Sequence, residues 1–349
     1  MKQKMGVKEI AIKAGVSIGT VDRVLHHRGR VSEETKQKIE KLLQEFEYTP
    51  NPMARSLAVK NPKLVALLIP EPSQDEYWRQ AWKGIAGSMK RAEAIGLKVA
   101  PYFYSLSNKN TFKKMAIKIL KANPAGVIMA PNFLEEGKKM YEEYKKNKIP
   151  VIMFDTIMPD CEPLSYIGTD SFQSGVVAAE LLCLSSEKKG RFILLHFDED
   201  KINSPHMLEK ERGFLSYIQK RDYKRKCQTI VIKDTTHSYL NKLQKEFEKD
   251  NPSGIFVSTS KVYKLGAVLK NACLKNAVIV GFDLITENIK LMQQGYIDFL
   301  INQNPGGQAA SCILTFSSHL IYREAVKEKY FFPPEIVTST NLCYYLPVE

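Results

Sequence analysis

Apolar residues near the N-terminus recur with the spacing of short amphipathic helices. The segment GVKEIAIKAGVSIGTVDRVL (residues 6–25) contains two apolar stripes, separated by Gly15. A third stripe, with the same i, i+3, i+4, i+7 spacing, lies in residues 39–46. Ser32 stands before it as a helix cap and is followed by two acidic residues, which favour a helix start. These patterns predict a small three-helix core of the helix-turn-helix kind.

The second of these helices has an apolar side and an opposite side of mixed chemistry. Val21, Val24 and Leu25 share the apolar side. A recognition helix presents its other side to the major groove, where an arginine pairs with guanine and an aliphatic group contacts a thymine methyl. Arg23 and Ile18 are the candidates for these two contacts. On helix spacing alone, a merely solvated polar face is an equally good interpretation.

Two prolines interrupt the chain after the third helix. The stretch MARSLA that follows (residues 53–58) is too brief to hold as a helix alone, and Asn61-Pro62 breaks the chain again. We expect this segment to become ordered only on DNA or against a second copy. Leu57 has no obvious core to join, and an apolar side chain there fits a wedge that opens a minor-groove step and kinks the duplex.

From residue 64 onward, apolar runs typical of strands alternate with amphipathic helical segments. Continuous apolar strands between helices are typical of parallel sheets covered on both faces, and the chain is long enough for two such sheets. The strand in YIDFLINQ (residues 296–303) and the helix after it are expected to return to the first sheet. The predicted divisions are 1–50 for the DNA-binding domain, 51–63 for the hinge and 64–349 for the large domain, whose lobes are 64–165 with 296–324 and 166–295 with 325–349.

Polar and aromatic residues gather where the predicted strands end. In open α/β sheets, ligands bind beyond the carboxyl ends of the strands. Carboxylates there accept hydrogen bonds from paired hydroxyls, and aromatic rings cover the C–H face of a sugar. Each residue also has an ordinary structural alternative, such as capping the next helix. The residues together are therefore stronger evidence for a ligand site than any one of them alone. The set consists of Glu71, Gln74, Tyr77, Trp78, Asp155, Asp170, Asp283 and Gln303.

Charge favours a nucleic-acid partner. The net charge is +13, and residues 1–63 hold 13 Lys/Arg against 7 Asp/Glu, a net +6 in under a fifth of the chain. No apolar run approaches the roughly 18 residues of a membrane span. The first residues lack the apolar region and cleavage site of a secretory signal, so we expect a cytoplasmic protein without a membrane partner.

The motifs that mark common enzymes and metal sites are missing from this sequence. The six cysteines are far apart, with no CxxC pair, which indicates reduced thiols. The six histidines form no HExxH, and there is no GxSxG, no P-loop and no GxGxxG after the first strand. We therefore expect neither an enzyme nor a cofactor.

Residues 6–60, from GVKEIAIKAGVSIGTVDRVL through VSEETKQKI to YTPNPMARSL, resemble the DNA-binding head and hinge of the LacI/GalR family of bacterial repressors. The resemblance implies a homodimer whose paired hinges insert Leu57 into the minor groove. Asp22 departs from the family's usual Ser, and it either accepts from a cytosine amino group or ties down Arg23. The expected DNA-contacting residues are Ser17, Ile18, Gly19, Thr20, Arg23, His26, Arg30, Asn51, Arg55 and Leu57.

The large domain, with its IGTD and VIVGFD strings, resembles the effector domains of the same family and the related periplasmic sugar-binding proteins. The resemblance implies sugar contacts for six of the strand-end residues, which are Asp155, Asp170, Asp283 and Gln303, together with the aromatic pair Tyr77 and Trp78. Two positions depart from it and join the expected ligand-binding set: Lys210 replaces an Arg, and Ser260-Lys261 replaces Asn-Asp. Lysine carries its charge on a single ammonium, whereas arginine has a planar guanidinium with several donors. We therefore expect an unusual effector, such as one with an anionic group.

The predicted fold is a small all-α helix-turn-helix domain followed by a periplasmic-binding-protein-like type I α/β domain of two parallel-sheet lobes. The predicted function is a homodimeric transcription regulator whose affinity for operator DNA is controlled by a sugar or sugar derivative bound between the lobes. The alternative is a sugar-binding protein of a transport or sensing system with no direct DNA role.

Overall fold

The computed structural model describes residues 6–25, 29, 31–46, 48, 61–187, 190–197, 205–221, 225–232, 238–249, 251–266, 268 and 277–346. The chain divides into two units, residues 1–58 and 59–349. Each unit has its own core. The expected hinge, residues 51–63, falls almost entirely outside the described residues, so its helix and the role of Leu57 stay predictions.

The first unit contains the three predicted helices: α1 (Val7–Ala14), α2 (Ile18–Leu25) and α3 (Glu33–Glu45). Gly15 ends α1 in the left-handed conformation, with φ 72°, which glycine adopts without a steric penalty. Ser32 caps α3 as predicted, accepting from the backbone N–H of Thr35 at 3.4 Å. The apolar stripes meet in one buried cluster of Ile10, Ala11, Ala14, Val21, Val24 and Ile39.

The described strands of the second unit form two six-stranded sheets. Their bounds are β1 (Lys63–Pro70), β2 (Leu97–Tyr104), β3 (Gly126–Met129), β4 (Val151–Phe154), β5 (Ser165–Thr169), β6 (Phe192–Phe197), β7 (Cys227–Ile232), β8 (Gly254–Val257), β9 (Val278–Phe282), β10 (Phe299–Asn302), β11 (Lys329–Phe332) and β12 (Glu335–Val337). The first sheet has the order β11-β5-β4-β3-β1-β2, and the second has the order β12-β10-β9-β8-β6-β7. The two orders are the same once β1–β5 are replaced by β6–β10, so the lobes share one topology. β12 runs antiparallel to β10, whereas the other described pairings are parallel.

Helices cover both faces of each sheet. Those of the second unit are α4 (Glu76–Ala94), α5 (Lys109–Ala122), α6 (Leu134–Lys146), α7 (Ser171–Ser185), α8 (Pro205–Lys220), α9 (Ser238–Lys249), α10 (Thr286–Gln293) and α11 (Pro305–Phe316), with 3₁₀ turns at Ser260–Leu265 and Leu342–Tyr344 and a π turn at Ser317–Tyr322. The strands between them are almost fully buried, as in β3, β4 and β6. No helix in the described part of the chain is long and apolar enough to cross a membrane.

The strand expected in residues 296–303 does not return to the first sheet. β10 pairs in parallel with β9, with Phe299 opposite Val280, and so belongs to the second lobe. α10 joins β9 to β10, and strands that are consecutive in sequence most often neighbour each other in one sheet. Only the helix after it, α11, packs against the first sheet, where Phe316 joins the core of β1.

The lobe boundaries also differ from the expected ones. β5 lies in the first sheet beside β4. The chain therefore first crosses from one lobe to the other after residue 169 rather than at residue 165. The second crossing lies between β10 and α11 rather than before residue 296. β11 pairs with β5, so the last crossing lies between Phe332 and Glu335 rather than near residue 324.

Candidate functional site

The predicted recognition surface of α2 is exposed in the first unit. Val21 and Val24 are buried, whereas Ile18, Gly19 and Arg23 are open to solvent, with the Ile18 side chain 51% exposed. An isoleucine this exposed gains nothing from the core, which is consistent with a contact surface. The start of α2 is held by the Ser17 hydroxyl, which accepts from the backbone N–H of Thr20 at 3.1 Å. The other expected DNA contacts, namely His26, Arg30, Asn51, Arg55 and Leu57, lie outside the described residues.

The carboxyl ends of the two sheets border a cavity of about 310 Å³ between the lobes. Of the residues proposed from the sequence, those that line this main cavity are Tyr77, Trp78, Asp155, Lys210, Ser260, Lys261, Asp283 and Gln303. The fold thus gathers residues from positions 77 to 303 around one cavity at the strand ends, which is where the rule for open α/β sheets predicts a ligand site.

The other three proposed residues lie outside the main cavity. Glu71 accepts a hydrogen bond from the Ser73 hydroxyl at 3.1 Å. Asp170 caps α7, accepting from the backbone N–H of Gln173 at 2.9 Å, which is the structural alternative noted for strand-end acids. Asp170 and Gln74 line two smaller cavities, each of which shares lining residues with the main one.

Asp155 is held at the end of β4 by its backbone and by a tyrosine. Its φ of 66° turns the chain sharply after the strand, and its N–H donates to the Ile167 carbonyl of β5 at 2.9 Å. The Tyr77 hydroxyl donates to Oδ1 of Asp155, and the Thr156 hydroxyl donates to Oδ2 at 3.2 Å. The cap of α4 fixes Tyr77 in turn, because its backbone N–H donates to Asp75 at 2.9 Å.

Asp283 lies at the matching position of the second lobe, at the end of β9. It is 1% exposed, and both of its carboxylate oxygens accept from Nε2 of Gln303, at 3.1 and 3.0 Å. Burial raises the pKa of Asp283 to about 7, and the nearby Lys210 ammonium and the Gln303 hydrogen bonds only partly oppose this. The Asp155 carboxylate adds a further upward contribution to this pKa.

Lys210 lines the main cavity, but its ammonium is bound by groups of the protein itself. Its side chain is 2% exposed, and its Nζ donates to the Ser258 carbonyl at 3.1 Å and to Oε1 of Gln303 at 3.5 Å. The ammonium also sits 3.7 Å from the centre of the Phe282 ring, a cation–π contact. Protein groups therefore already stabilise its charge, so an anionic effector is not required to neutralise it.

Sequence reasoning missed part of the lining. Asn132 and Phe133 follow β3, and Ser258 and Thr259 follow β8, so the strand-end rule could have found them. Thr169 and Ser171 flank a crossing between the lobes, and their place depended on knowing where that crossing lies. The rest of the missed lining is Asp75, Leu106, Thr156 and His206. Leu106 and Thr156 also follow strands, β2 and β4, whereas Asp75 and His206 do not.

Ser258 is held in place by a series of hydrogen bonds among buried and partly buried polar groups. Its hydroxyl is 2.6 Å from Nδ1 of His196, which is fully buried. Nε2 of His196 lies 3.2 Å from a Glu211 oxygen, and the Thr229 hydroxyl donates to the other oxygen at 2.8 Å. These hydrogen bonds hold the Ser258 hydroxyl in one orientation, which suits a site that distinguishes the hydroxyl positions of a ligand.

The two lobes also touch beside the cavity, through the residues that neighbour Tyr77. Oε1 of Glu76 accepts from the backbone N–H of Thr286 at 2.9 Å and from its hydroxyl at 2.6 Å. Nε2 of Gln80 donates to the Leu284 carbonyl at 2.8 Å. Partial burial raises the pKa of Glu76, but the Thr286 hydrogen bonds outweigh it and leave this pKa below its ordinary value. We call the Glu76–Thr286 contact the clasp.

Comparisons with known proteins agree with this arrangement. Residues 6–51 match the family "Bacterial regulatory proteins, lacI family", and residues 65–323 match the family "Periplasmic binding protein domain". The sucrose operon repressor of Lactococcus lactis subsp. lactis is 26% identical over 277 residues, covering 79% of this chain and 82% of the repressor. The ribose operon repressor of Lactococcus lactis strain IL1403 is 26% identical over 217 residues, covering 62% of this chain and 60% of that one.

A solved structure from Bacteroides fragilis, assigned to the LacI transcriptional regulators, superposes with a TM-score of 0.76 at 25% identity. The match covers 82% of this chain and all of the other one, at 100%.

Proposed function

Because this chain belongs to the lacI family of bacterial regulatory proteins, with an effector unit of the periplasmic-binding-protein family, we propose that its DNA affinity is controlled by a sugar bound in the main cavity. The observation that carries the proposal is the pair of carboxylates, Asp155 and Asp283, which end equivalent strands of the two lobes and line one cavity. A molecule with several hydroxyls can donate to both at once.

The remaining lining supports a sugar over other small molecules. Trp78 and Phe133 offer ring surfaces to an apolar C–H face, while Asn132, Ser258 and Gln303 offer amide and hydroxyl groups. The relatives named above are repressors of a sucrose operon and a ribose operon, which supports a sugar as the effector of this protein.

Control follows from a difference in affinity between open and closed lobes. A sugar that bonds Asp155 and Asp283 together binds the closed arrangement better, and it therefore shifts the population toward that arrangement. We propose that the protein acts in the cytoplasm as a homodimer, in which lobe closure alters the paired connections to two DNA-binding units. Each unit reads one half-site of an approximately palindromic operator, with Arg23 and Ile18 of α2 contacting the bases.

The alternative of a transport binding protein shares the effector unit but not the first one. The match of residues 6–51 to the lacI family, together with the exposed polar face of α2, favours the regulator. The two functions differ in one measurable property, which is sequence-specific DNA binding that responds to a sugar.

The test uses the full chain. An operator is selected from random duplex DNA, and binding is followed by fluorescence anisotropy with and without each of a panel of sugars. A sugar that stabilises the protein in thermal unfolding, by about 2.7 kcal/mol at 100 times its dissociation constant, should also change operator affinity. Stabilisation without any DNA selection would favour the transport protein, and selective DNA binding without any responding sugar would disprove sugar control.

A further inference from the structure

The main cavity does not end at Asp155. A second cavity of about 160 Å³ adjoins it, and Asp155, Thr169, Ser171 and His206 line both. We call it the side cavity. Like the main cavity it has walls from both lobes, because Tyr166 and Phe331 come from the first sheet and Pro205 from the start of α8. A ligand that crosses the shared residues can therefore occupy both cavities while it joins the two lobes.

The two cavities differ in chemistry. Carboxylates, amides and hydroxyls dominate the main cavity, as described above. The side cavity is walled mainly by rings and aliphatic groups, contributed by Ile157, Tyr166, Phe172, Pro205 and Phe331. The same cavity is also lined by polar residues, which are Asp155, Thr169, Asp170, Ser171, His206, Glu209 and Lys329.

Phe331 is the side chain best placed to meet a ligand there. It is 49% exposed although it belongs to a strand, and its ring meets the Tyr166 ring edge-on with centroids 5.8 Å apart. The Tyr166 hydroxyl is already engaged, since it donates to the carbonyls of Asp155 at 2.9 Å and Thr169 at 3.2 Å. Phe331, Phe172 and Tyr166 therefore present aromatic surface in the side cavity, which suits the C–H face of a sugar ring.

We propose that the effector is a disaccharide, whose first ring binds in the main cavity and whose second ring packs against Phe331 and Phe172 in the side cavity. The glycosidic linkage then lies near Thr169 and Ser171, where the cavities meet. This inference rests on the proposed function, because it takes sugar binding in the main cavity as given. It adds that the side cavity sets the size of the sugar.

β11 supplies a matched pair of variants for the test. Side chains alternate between the two faces of a strand, so Tyr330 points away from the face that carries Lys329 and Phe331. Tyr330 pairs instead with Phe332 at 5.4 Å and is 46% exposed, close to the 49% of Phe331. Phe331→Ala removes the side-cavity ring, and Tyr330→Ala removes a ring of similar exposure from the other face.

The experiment is calorimetric titration of the full-length protein and both variants. The monosaccharide probes are glucose, galactose, fructose and ribose, and the disaccharide probes are sucrose, maltose, lactose, cellobiose and trehalose. We expect one disaccharide to bind at least about tenfold more tightly than either of its component monosaccharides. Phe331→Ala should reduce that ratio to near one, Phe331→Tyr should retain it, and Tyr330→Ala should leave it unchanged.

The inference fails if a monosaccharide binds as tightly as every disaccharide that contains it, or if the two alanine variants have equal effects. In both cases the proposed function stands, because a sugar still binds. If no sugar of either size binds the unaltered protein, the proposed function fails and the disaccharide fails with it.

Discussion

Asp155 and Asp283 occupy the same place in two copies of one topology. Each follows the third strand from the edge of its sheet, each has a φ of 66°, and each donates its backbone N–H to the neighbouring strand, at 2.9 Å to Ile167 and 3.0 Å to Ile301. A left-handed conformation is uncommon for a residue other than glycine, and it turns both carboxylates into the space between the lobes. The two carboxylates of the proposed effector site are thus positioned by one local structure used twice.

The first prediction concerns the contribution of the Asp155 carboxylate to effector binding. Asp155→Asn should weaken the binding of the responding sugar by about 10- to 100-fold, since a hydrogen bond to a charged acceptor contributes about 1.5–3 kcal/mol. Asp160 is the matched control, because it also has a positive φ, of 61°, but its side chain is 88% exposed and pairs with Lys138 on the surface. Titration calorimetry measures the sugar affinity of both variants. Equal losses of affinity would mean that the sugar does not bind at Asp155.

The second prediction is a pH dependence of stability that comes from Asp283. Its pKa is about 7 in the folded protein and near the ordinary value of 3.8 in the unfolded chain. Between these values the unfolded state holds fewer protons, so raising the pH favours unfolding until the folded carboxyl has also ionised. Relative to Asp283→Asn, the unaltered protein should therefore lose thermal stability as the pH rises from 5 to 8.

Thermal unfolding at unit pH steps from 5 to 8 measures this difference. The Asp160→Asn variant should follow the unaltered protein across the range, because its carboxyl lies at the surface. If the stability difference between Asp283→Asn and the unaltered protein does not change with pH, Asp283 does not titrate in this window.

The third prediction concerns the clasp. Glu76→Ala removes the acceptor of two hydrogen bonds between the lobes without altering the lining of the main cavity. A less populated closed state raises the apparent dissociation constant in proportion, so we expect effector affinity to fall by about 3- to 10-fold. Glu93→Ala, at an exposed position near the other end of α4, should have no effect. Calorimetric titration of both variants tests this, and unchanged affinity in Glu76→Ala would mean that the clasp does not influence closure.

Local patterns were sufficient for much of this architecture. The apolar spacing in residues 6–25 predicted α1 and α2 because a helix of the first unit buries one face only. Asp155, Asp283 and Gln303 were found because strands of a parallel sheet end at one edge, where their neighbours in space are predictable without coordinates. Each of these inferences depended on short-range order or on a general property of the fold.

Features that depend on the path between the lobes could not be found in this way. The apolar pattern of β10 would be the same in either sheet, so the sequence does not specify which sheet this strand joins. His206 lines both cavities from the start of α8, and Glu76 meets Thr286 across 210 positions of sequence. No periodicity marks such residues, since they are brought together only by tertiary packing.

The last prediction concerns base recognition by α2. Arg23 is exposed on the face opposite Val21 and Val24, where its fork can pair with a guanine in the major groove. Arg23→Ala should weaken binding to the selected operator by roughly 1–3 kcal/mol and remove the preference at one base position. Arg23→Lys should lose the preference as well, because an ammonium cannot form the paired hydrogen bonds of a guanidinium.

Anisotropy titrations against operators substituted at each position separate this role from a phosphate contact. An arginine that reads a base loses discrimination at that base pair alone, whereas one that binds phosphate loses affinity uniformly and lowers the salt dependence. Lys36→Ala is the control, since Lys36 lies on α3 and pairs with Glu33 at 3.5 Å. A uniform loss in Arg23→Ala would assign Arg23 to the DNA backbone and leave base reading to Ile18 and its neighbours.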